Sequence, residues 1–456
     1  MKQRTTALLL TAAFALSLLG VTALAAEGDQ SAPASSAAET EPAGAEDTSA
    51  PAGEPETQPE PVQEGEGDTG EDAEEGDEAP VEEYIPDPVG SITFGNLSRR
   101  MHEGNLQVLS IQENIDILEE IDYDDLKEDL RLQLNQLAQA QWMMVQFGQS
   151  GTLAYERMDQ AYDAVREQFD AIKDGDMQED NADTVRQLKN LQNQIIMAGE
   201  ATYIALAAME LQEDGLERQL DALDRQITEL DLRYELGHIS SMTLKQAKSG
   251  RAALDSGLST LRMNLNTYKG QLELLIGADL TGKISLGALP AVSQEGLNAM
   301  DLEKDLETAK ENSWDLYQAT EDYKDAREEY NDHGGDYGQT YKANDRSYTQ
   351  ARHTYYSAKY TYDNTVQNFE LGLRNLYLKV KDCQQILSAA RTALAVEQDN
   401  YAVAQLKQSQ GTISQNALLE AEDKLKEARE KVAGAENDLF SAYNTYRWAV
   451  DYGIMN

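Results

Sequence analysis

Apolar residues return every seven positions along one long stretch of the C-terminal half. Tyr341, Tyr348, Tyr355, Tyr362, Phe369, Leu376 and Cys383 stand at strict seven-residue intervals. A second line, four residues further on, reads Val366, Leu373, Val380, Leu387 and Leu394, although Asp345, Arg352 and Lys359 hold it earlier. A sustained seven-residue repeat keeps one seam of a helix facing its partner and winds the pair into a left-handed coiled coil. The pattern predicts one helix from Tyr341 to about Leu406, some 66 residues, which is ~100 Å long at 1.5 Å per residue. The tyrosines fit a helix–helix seam that is only partly dry better than a stacking platform. Cys383 shares their line and reads as a packed side chain rather than a nucleophile.

In the N-terminal half, Leu97, Met101, Leu106, Leu109, Ile111, Ile115 and Leu118 keep mostly helical spacing. A helix is predicted to run to about Phe147, to break at Phe147-Gly148-Gln149-Ser150-Gly151 and to resume as far as Lys173. A polar loop is expected over Asp174 to Asp180. Its acidic residues resemble a calcium loop, but the glycine and the distal glutamate are misplaced for one. From about Thr184 a helix should continue to Gly237, and its partner should return from Ser241 to Ile276.

The turn between those two helices has a counterpart. Leu232 to Leu244, LRYELGHISSMTL, shares its framework with Leu406 to Leu418, LKQSQGTISQNAL, 174 residues later. Leu232, Gly237, Ile239, Ser240 and Leu244 return as Leu406, Gly411, Ile413, Ser414 and Leu418, and the same displacement maps Tyr203 onto Tyr377 and Leu265 onto Leu439. This is an internal duplication. Each copy reads as the turn of an αα-hairpin: glycine takes the left-handed conformation that closes one helix, serine caps the next, and the isoleucine between them seals the tip. Glu311-Asn312-Ser313-Trp314 parallels Glu103-Gly104-Asn105-Leu106 at a larger displacement, so the first repeat carries about 33 extra residues between its opening helix and its hairpin. The repeats are assigned to 91–290 and 291–456, joined through Gly277, Gly282, Gly287 and Pro290.

Proline placement supports an all-α fold of long antiparallel coiled-coil hairpins. Nine of the ten prolines precede Ser91, and the remaining 366 residues contain only Pro290, so the residue that breaks helices hardly interrupts them. Residues 1–25 have Lys2 and Arg4, an apolar run and Ala23-Leu24-Ala25, the pattern of a secretory signal peptide. Cleavage before Ala26 fits the small residues there better than the alternative, an uncleaved membrane anchor whose apolar run of about 20 residues could just span a bilayer. Residues 26–90 contain no Lys or Arg and form an acidic Pro/Glu-rich segment expected to be a disordered tether, with little to bury against the entropy of ordering it. An extracytoplasmic location in the cell envelope follows.

The net charge is −44, of which the tether supplies −21 and the leader +2, leaving −25 on the helical part. That excludes nucleic acid as a partner and argues against adsorption to anionic lipid. His102, His238, His333 and His353 are scattered, there is one cysteine, and no glycine cluster forms a phosphate loop beside a strand. No catalytic residue, cofactor or metal site is read from the sequence, and an enzyme is not expected.

The tandem copies, each with an opening helix and a long antiparallel pair joined by Gly-x-Ile-Ser, resemble the TolC-like outer-membrane efflux protein family. The resemblance covers Ile92 to Asn456, and its most specific residues are Tyr234 to Ser240 with Leu244 and Ala247, and Gly411 to Ser414 with Leu418 and Ala421. It implies a homotrimer whose hairpins form an α-helical tunnel. Gly237, Ile239, Ser240, Gly411, Ile413 and Ser414 would be the tip that docks a membrane-fusion-type adaptor of an inner or cytoplasmic membrane transporter. It also implies barrel strands near 146–183 and 331–348, but neither stretch alternates apolar and polar residues over the ~9 to 11 positions that a membrane strand needs. The expected protomer is therefore TolC-like with its barrel strands reduced or absent, in an outer membrane if the organism has one and otherwise secreted or wall-associated. The alternative is a secreted coiled-coil scaffold or surface-binding protein without transport activity.

Overall fold

The computed structural model describes residues 87–342 and 345–455. The predicted leader, and the tether up to residue 86, lie outside the described residues.

The chain enters through a two-residue strand, β1 (Ser91–Ile92), followed by α1 (Phe94–Gly104), α2 (Leu106–Glu119), α3 (Tyr123–Gln146) and α4 (Leu153–Asp174). The 60-residue α5 (Asp176–Glu235) and its partner α6 (Ser241–Leu275) make the first long hairpin. A connection carrying β2 (Ser285–Leu286) and α7 (Gln294–Ala299) leads to α8 (Leu302–Asn312), α9 (Trp314–Asp332) and α10 (Gly335–Tyr341). The second long hairpin pairs the 64-residue α11 (Arg346–Ser409) with α12 (Gln415–Tyr452). Among the described residues the strands are β1 and β2, which pair in parallel through Ser91↔Ser285 and Ile92↔Leu286. The described residues of both stretches where the family resemblance implies barrel strands hold helices and turns instead.

Several expected boundaries move, each for a local reason. The opening helix is interrupted twice: Asn105 accepts from the N–H groups of Gln107 and Val108, and Asp122 from those of Asp124 and Asp125, so each starts a new helix. The loop expected over Asp174 to Asp180 shrinks to Gly175, whose φ of 93° turns the chain, and Asp176 to Asp180 already belong to α5. The long C-terminal helix starts at Arg346, capped by Asp345 through Ser347 N–H. Tyr341, expected to open the heptad column, instead ends α10 and is 84 % exposed.

The two halves repeat one plan. α1 and α8 both have 11 residues, and each runs into the next helix through a single capping residue, Asn105 or Ser313. Their capping positions lie 208 residues apart (313 minus 105), so the first half holds 34 more residues than the hairpin displacement of 174, and α3 with α4 accounts for them. In each half an asparagine beside that joint ties down the end of the returning hairpin helix. Asn105 Nδ2 donates to the Leu275 carbonyl at 3.0 Å, and Asn312 Nδ2 to those of Val450 and Asp451 at 3.2 and 3.0 Å.

Each half has its own apolar core. Leu97, Met101, Ile196, Tyr203, Leu265 and Leu272 pack in the first, and Leu316, Phe369, Leu373, Val380, Leu439 and Tyr446 in the second. Trp448 crosses from α12 into the first core. The heptad seam is real: Tyr348, Phe369 and Cys383 are buried, as are Leu373, Val380 and Leu387 on the second line, and burial pushes the Cys383 thiol pKa up. What the heptads do not reveal is the partner of the tyrosines. Tyr330 and Tyr323 of α9 slot between those of α11, giving a ladder Tyr348, Tyr330, Tyr355, Tyr323, Tyr362 with successive ring centroids 5.8, 5.0, 5.8 and 5.6 Å apart.

Candidate functional site: the paired hairpin tips

Local chemistry dictates the two tips. At the first, Gly237 has φ 75°, its N–H donates to the Tyr234 carbonyl at 2.9 Å, and that of His238 donates to Arg233 at 2.8 Å. At the second, Gly411 has φ 70°, its N–H donates to Gln408 at 2.9 Å, and that of Thr412 to Lys407 at 2.9 Å. These paired bonds satisfy carbonyls that the end of a helix would leave open, and they require a left-handed residue where only glycine carries no Cβ penalty. Ser240 and Ser414 then cap α6 and α12, accepting from Thr243 N–H at 3.3 Å and Ala417 N–H at 3.2 Å. Ile239 and Ile413 are half-buried beneath the turns, while Gly237, Ser240, Gly411 and Ser414 are exposed.

The fold brings the six predicted residues to one end. α5 and α12 run antiparallel and are tied by Arg218 to Glu430, in two bonds of 2.7 Å, by Arg225 to Asp423, and by Asn416 Nδ2 donating to Glu229 at 3.3 Å. Glu229 lies eight residues before Gly237 and Asn416 five after Gly411, a difference of three residues, so the tips are level to within about 5 Å along the helices at 1.5 Å per residue. Within the first hairpin, Arg251 holds Asp224 at 2.5 and 3.0 Å and Lys248 holds Asp231 at 2.9 Å.

These ion pairs leave the extremity itself neutral. Gln408 to Leu419 contains no charged residue, and Leu236 to Leu244 contains only His238 as a titratable side chain. Leu232, Leu236, Met242 and Leu406 are exposed around the turns. Sequence reasoning missed these four as a surface, because single helical apolar residues read as core until the packing is known. No Cβ placed on Gly237 or Gly411 would meet an atom within 4 Å, so the glycines serve the backbone and leave the outer surface free. Among the described residues no group of three His, Cys, Asp or Glu side chains is placed to hold a metal ion.

No protein-family model matches the chain, and no curated protein matches it. Among solved structures it is similar to the outer membrane protein VceC from the bacterial pathogen Vibrio cholerae, at 12% identity and a TM-score of 0.44, covering 79% of this chain and 96% of that one. It is likewise similar to CusC, at 12% identity and a TM-score of 0.46 over 79% of this chain and 96% of that one. The Campylobacter jejuni CmeC outer membrane channel is similar at 15% identity and a TM-score of 0.42, covering 64% of this chain and 68% of that one.

Proposed function

We propose that this chain is an extracytoplasmic TolC-like component of an efflux or secretion assembly, acting passively as a helical duct or adaptor-docking element, with repeats at 91–290 and 291–456. The observation that carries the reading is the pair of tips: Gly237, Ile239 and Ser240 beside Gly411, Ile413 and Ser414, built alike, level with one another and neutral at the surface. An uncharged end with exposed Leu236 and Met242 offers apolar contact without the cost of stripping water from charges. The partners are two further copies of the chain, a membrane-fusion-type adaptor and a transporter in the inner or cytoplasmic membrane.

Replacing Gly237 and Gly411 together by valine tests it. The left-handed conformation costs a side-chain-bearing residue roughly 1–2 kcal/mol, which should distort both tips and abolish adaptor binding and export while the far end of each helix stays folded. Asparagine, which tolerates this conformation, should restore function. Unchanged export in the double valine variant sinks the proposal. Light scattering on Ala26 to Asn456 in detergent-free buffer separates the readings, because a duct requires a defined trimer and a coiled-coil scaffold gives a monomer or an open assembly.

A further inference from the structure

The hairpin of α3 and α4 accounts for the length difference between the halves, and its charge pattern is unlike that of the other described residues. From Leu132 to Tyr155, 24 consecutive residues contain no Asp, Glu, Lys, Arg or His, although 26% of the chain is charged. The next longest run free of Asp, Glu, Lys and Arg among the described residues is Gln408 to Leu419, half that length at 12. The hairpin departs from the N-terminal end of α5, 60 residues and therefore ~90 Å from the Gly237 tip at 1.5 Å per residue.

The apex of this hairpin is apolar and uncovered. Trp142 is 63 % exposed and Phe147 80 %, with Met143, Val145 and Leu153 exposed beside them. Of the three tryptophans, Trp448 is buried, Trp314 is half-buried, and only Trp142 stands out in solvent. Leu134, Leu137 and Met144 are partly buried, so the hairpin has a seam of its own and still carries this second apolar set outward. The turn satisfies much of its own backbone: the N–H groups of Gly148, Gln149 and Thr152 donate to Val145, Met144 and Gln149 at 3.1, 2.8 and 3.1 Å. An apex with bonded amides and no charges leaves water at little cost.

We infer that this apex is a lipid-surface anchor that seats Trp142, Phe147 and Leu153 shallowly in the interface of an uncharged bilayer. Tryptophan at the head of an apolar cluster suits the lipid–water boundary, where its ring is apolar and its N–H stays wet. Depth is limited from the α4 side, where Glu156 and Arg157 follow Leu153 within one helical turn, so insertion reaches about 5 Å, at the shallow end of interfacial helices. No helix among the described residues is long and apolar enough to cross a membrane, which fits lying in the surface rather than spanning. The net charge of −44 gives no attraction to an anionic surface, so neutral lipid is the ligand. A second copy is a poorer occupant, because five side chains on a convex apex fall short of the ~800 Å² per partner that stable protein interfaces bury.

The inference does not depend on the tips at Gly237 and Gly411. It is tested with residues Ala26 to Asn456, which contain the whole described structure and omit the leader, whose apolar run would itself bind lipid. Flotation with phosphatidylcholine vesicles should carry the protein, and tryptophan emission should shift to the blue, a shift that Trp142→Phe removes. Adding phosphatidylglycerol at low salt should weaken flotation. The pair Val145→Glu with Phe147→Glu, both at exposed positions, should cut binding at least tenfold while circular dichroism and the thermal midpoint stay as in the parent. Gly237→Val should leave flotation unchanged. Absence of flotation by the parent overturns the inference, as does undiminished binding by the double glutamate variant. Oligomers in lipid-free buffer that the same variant dissolves, without flotation of the parent, would assign the apex to a second copy instead.

Discussion

The indole N–H of Trp448 donates to Oε2 of Glu200 at 2.6 Å, and Asn444 Nδ2 donates to the same oxygen at 2.8 Å. Glu200 sits on α5 and is buried, while both donors sit on α12. The bond therefore joins the two long hairpins, and it carries Trp448 into the first apolar core.

Removing that acceptor should loosen the hairpins from each other. Glu200→Leu leaves the buried Trp448 N–H and the half-buried Asn444 amide without their oxygen, and we expect a loss of about 2 kcal/mol in urea unfolding, since an unsatisfied buried polar group costs roughly 1–3 kcal/mol. Glu200→Gln keeps an acceptor in place and should lose less. Equal losses in the two variants would show that the carboxamide cannot take the carboxylate's place.

Two glycines should respond in opposite directions to alanine. A Cβ on Gly104 would lie 2.3 Å from the backbone oxygen of Ile276, where α1 meets the end of α6, so Gly104→Ala should cost about 1–3 kcal/mol through forced separation. Gly257 lies within α6 and meets nothing within 4 Å, so Gly257→Ala should stabilise by roughly 0.5–1 kcal/mol through helix propensity. Thermal midpoints of the two variants check both signs.

Glu273 should give the fold an acid-sensitive joint. Its buried carboxylate accepts from the N–H groups of Thr281, Gly282, Lys283 and Ile284 and from Thr281 Oγ1, at 2.6 to 3.1 Å, holding the connection after α6 against the helix end. Burial pushes its pKa up, but the bonds from Gly282, Thr281 and Lys283 outweigh burial and hold it below the ordinary value. The stability it supplies is thus fully present above the unfolded value of about 4.3 and is lost as pH falls through the lower folded value. Glu273→Gln should be less stable at pH 7 and should flatten the acid limb of stability against pH. An unchanged acid limb would place the pH sensitivity in other carboxylates.

The clamp between Arg218 and Glu430 should outweigh ordinary surface pairs. Its partners are only 15 % and 24 % exposed and share two bonds of 2.7 Å, so a double-mutant cycle should give a coupling of about 1–2 kcal/mol, within reach of bonds to charged groups. Arg166 and Asp170, 62 % and 46 % exposed at 3.5 Å, should give about 0.3–0.5 kcal/mol. Salt should erode the second more than the first.

Much of this protein was written in local patterns. Gly237 with Ser240, and Gly411 with Ser414, specify their turns through bonds spanning five residues or fewer, and the heptads from Tyr348 to Leu394 specify a buried seam on one helix. The near absence of proline after Ser91 allowed helices of 60 and 64 residues. Helix starts were less legible, because Asn105, Asp122 and Asp345 look like any other polar residue until the chain bends at them. The sequence determined which segments are helical, where the hairpins turn and which face of α11 is buried, since these depend on neighbours within one or two turns. Only the tertiary structure decided that Tyr323 and Tyr330 fill the gaps between the tyrosines of α11, that Arg218 meets Glu430 across 212 residues, and that both tips end level. Those pairings depend on which faces of distant helices meet, and a polar or apolar residue on a helix carries no mark of its partner across space.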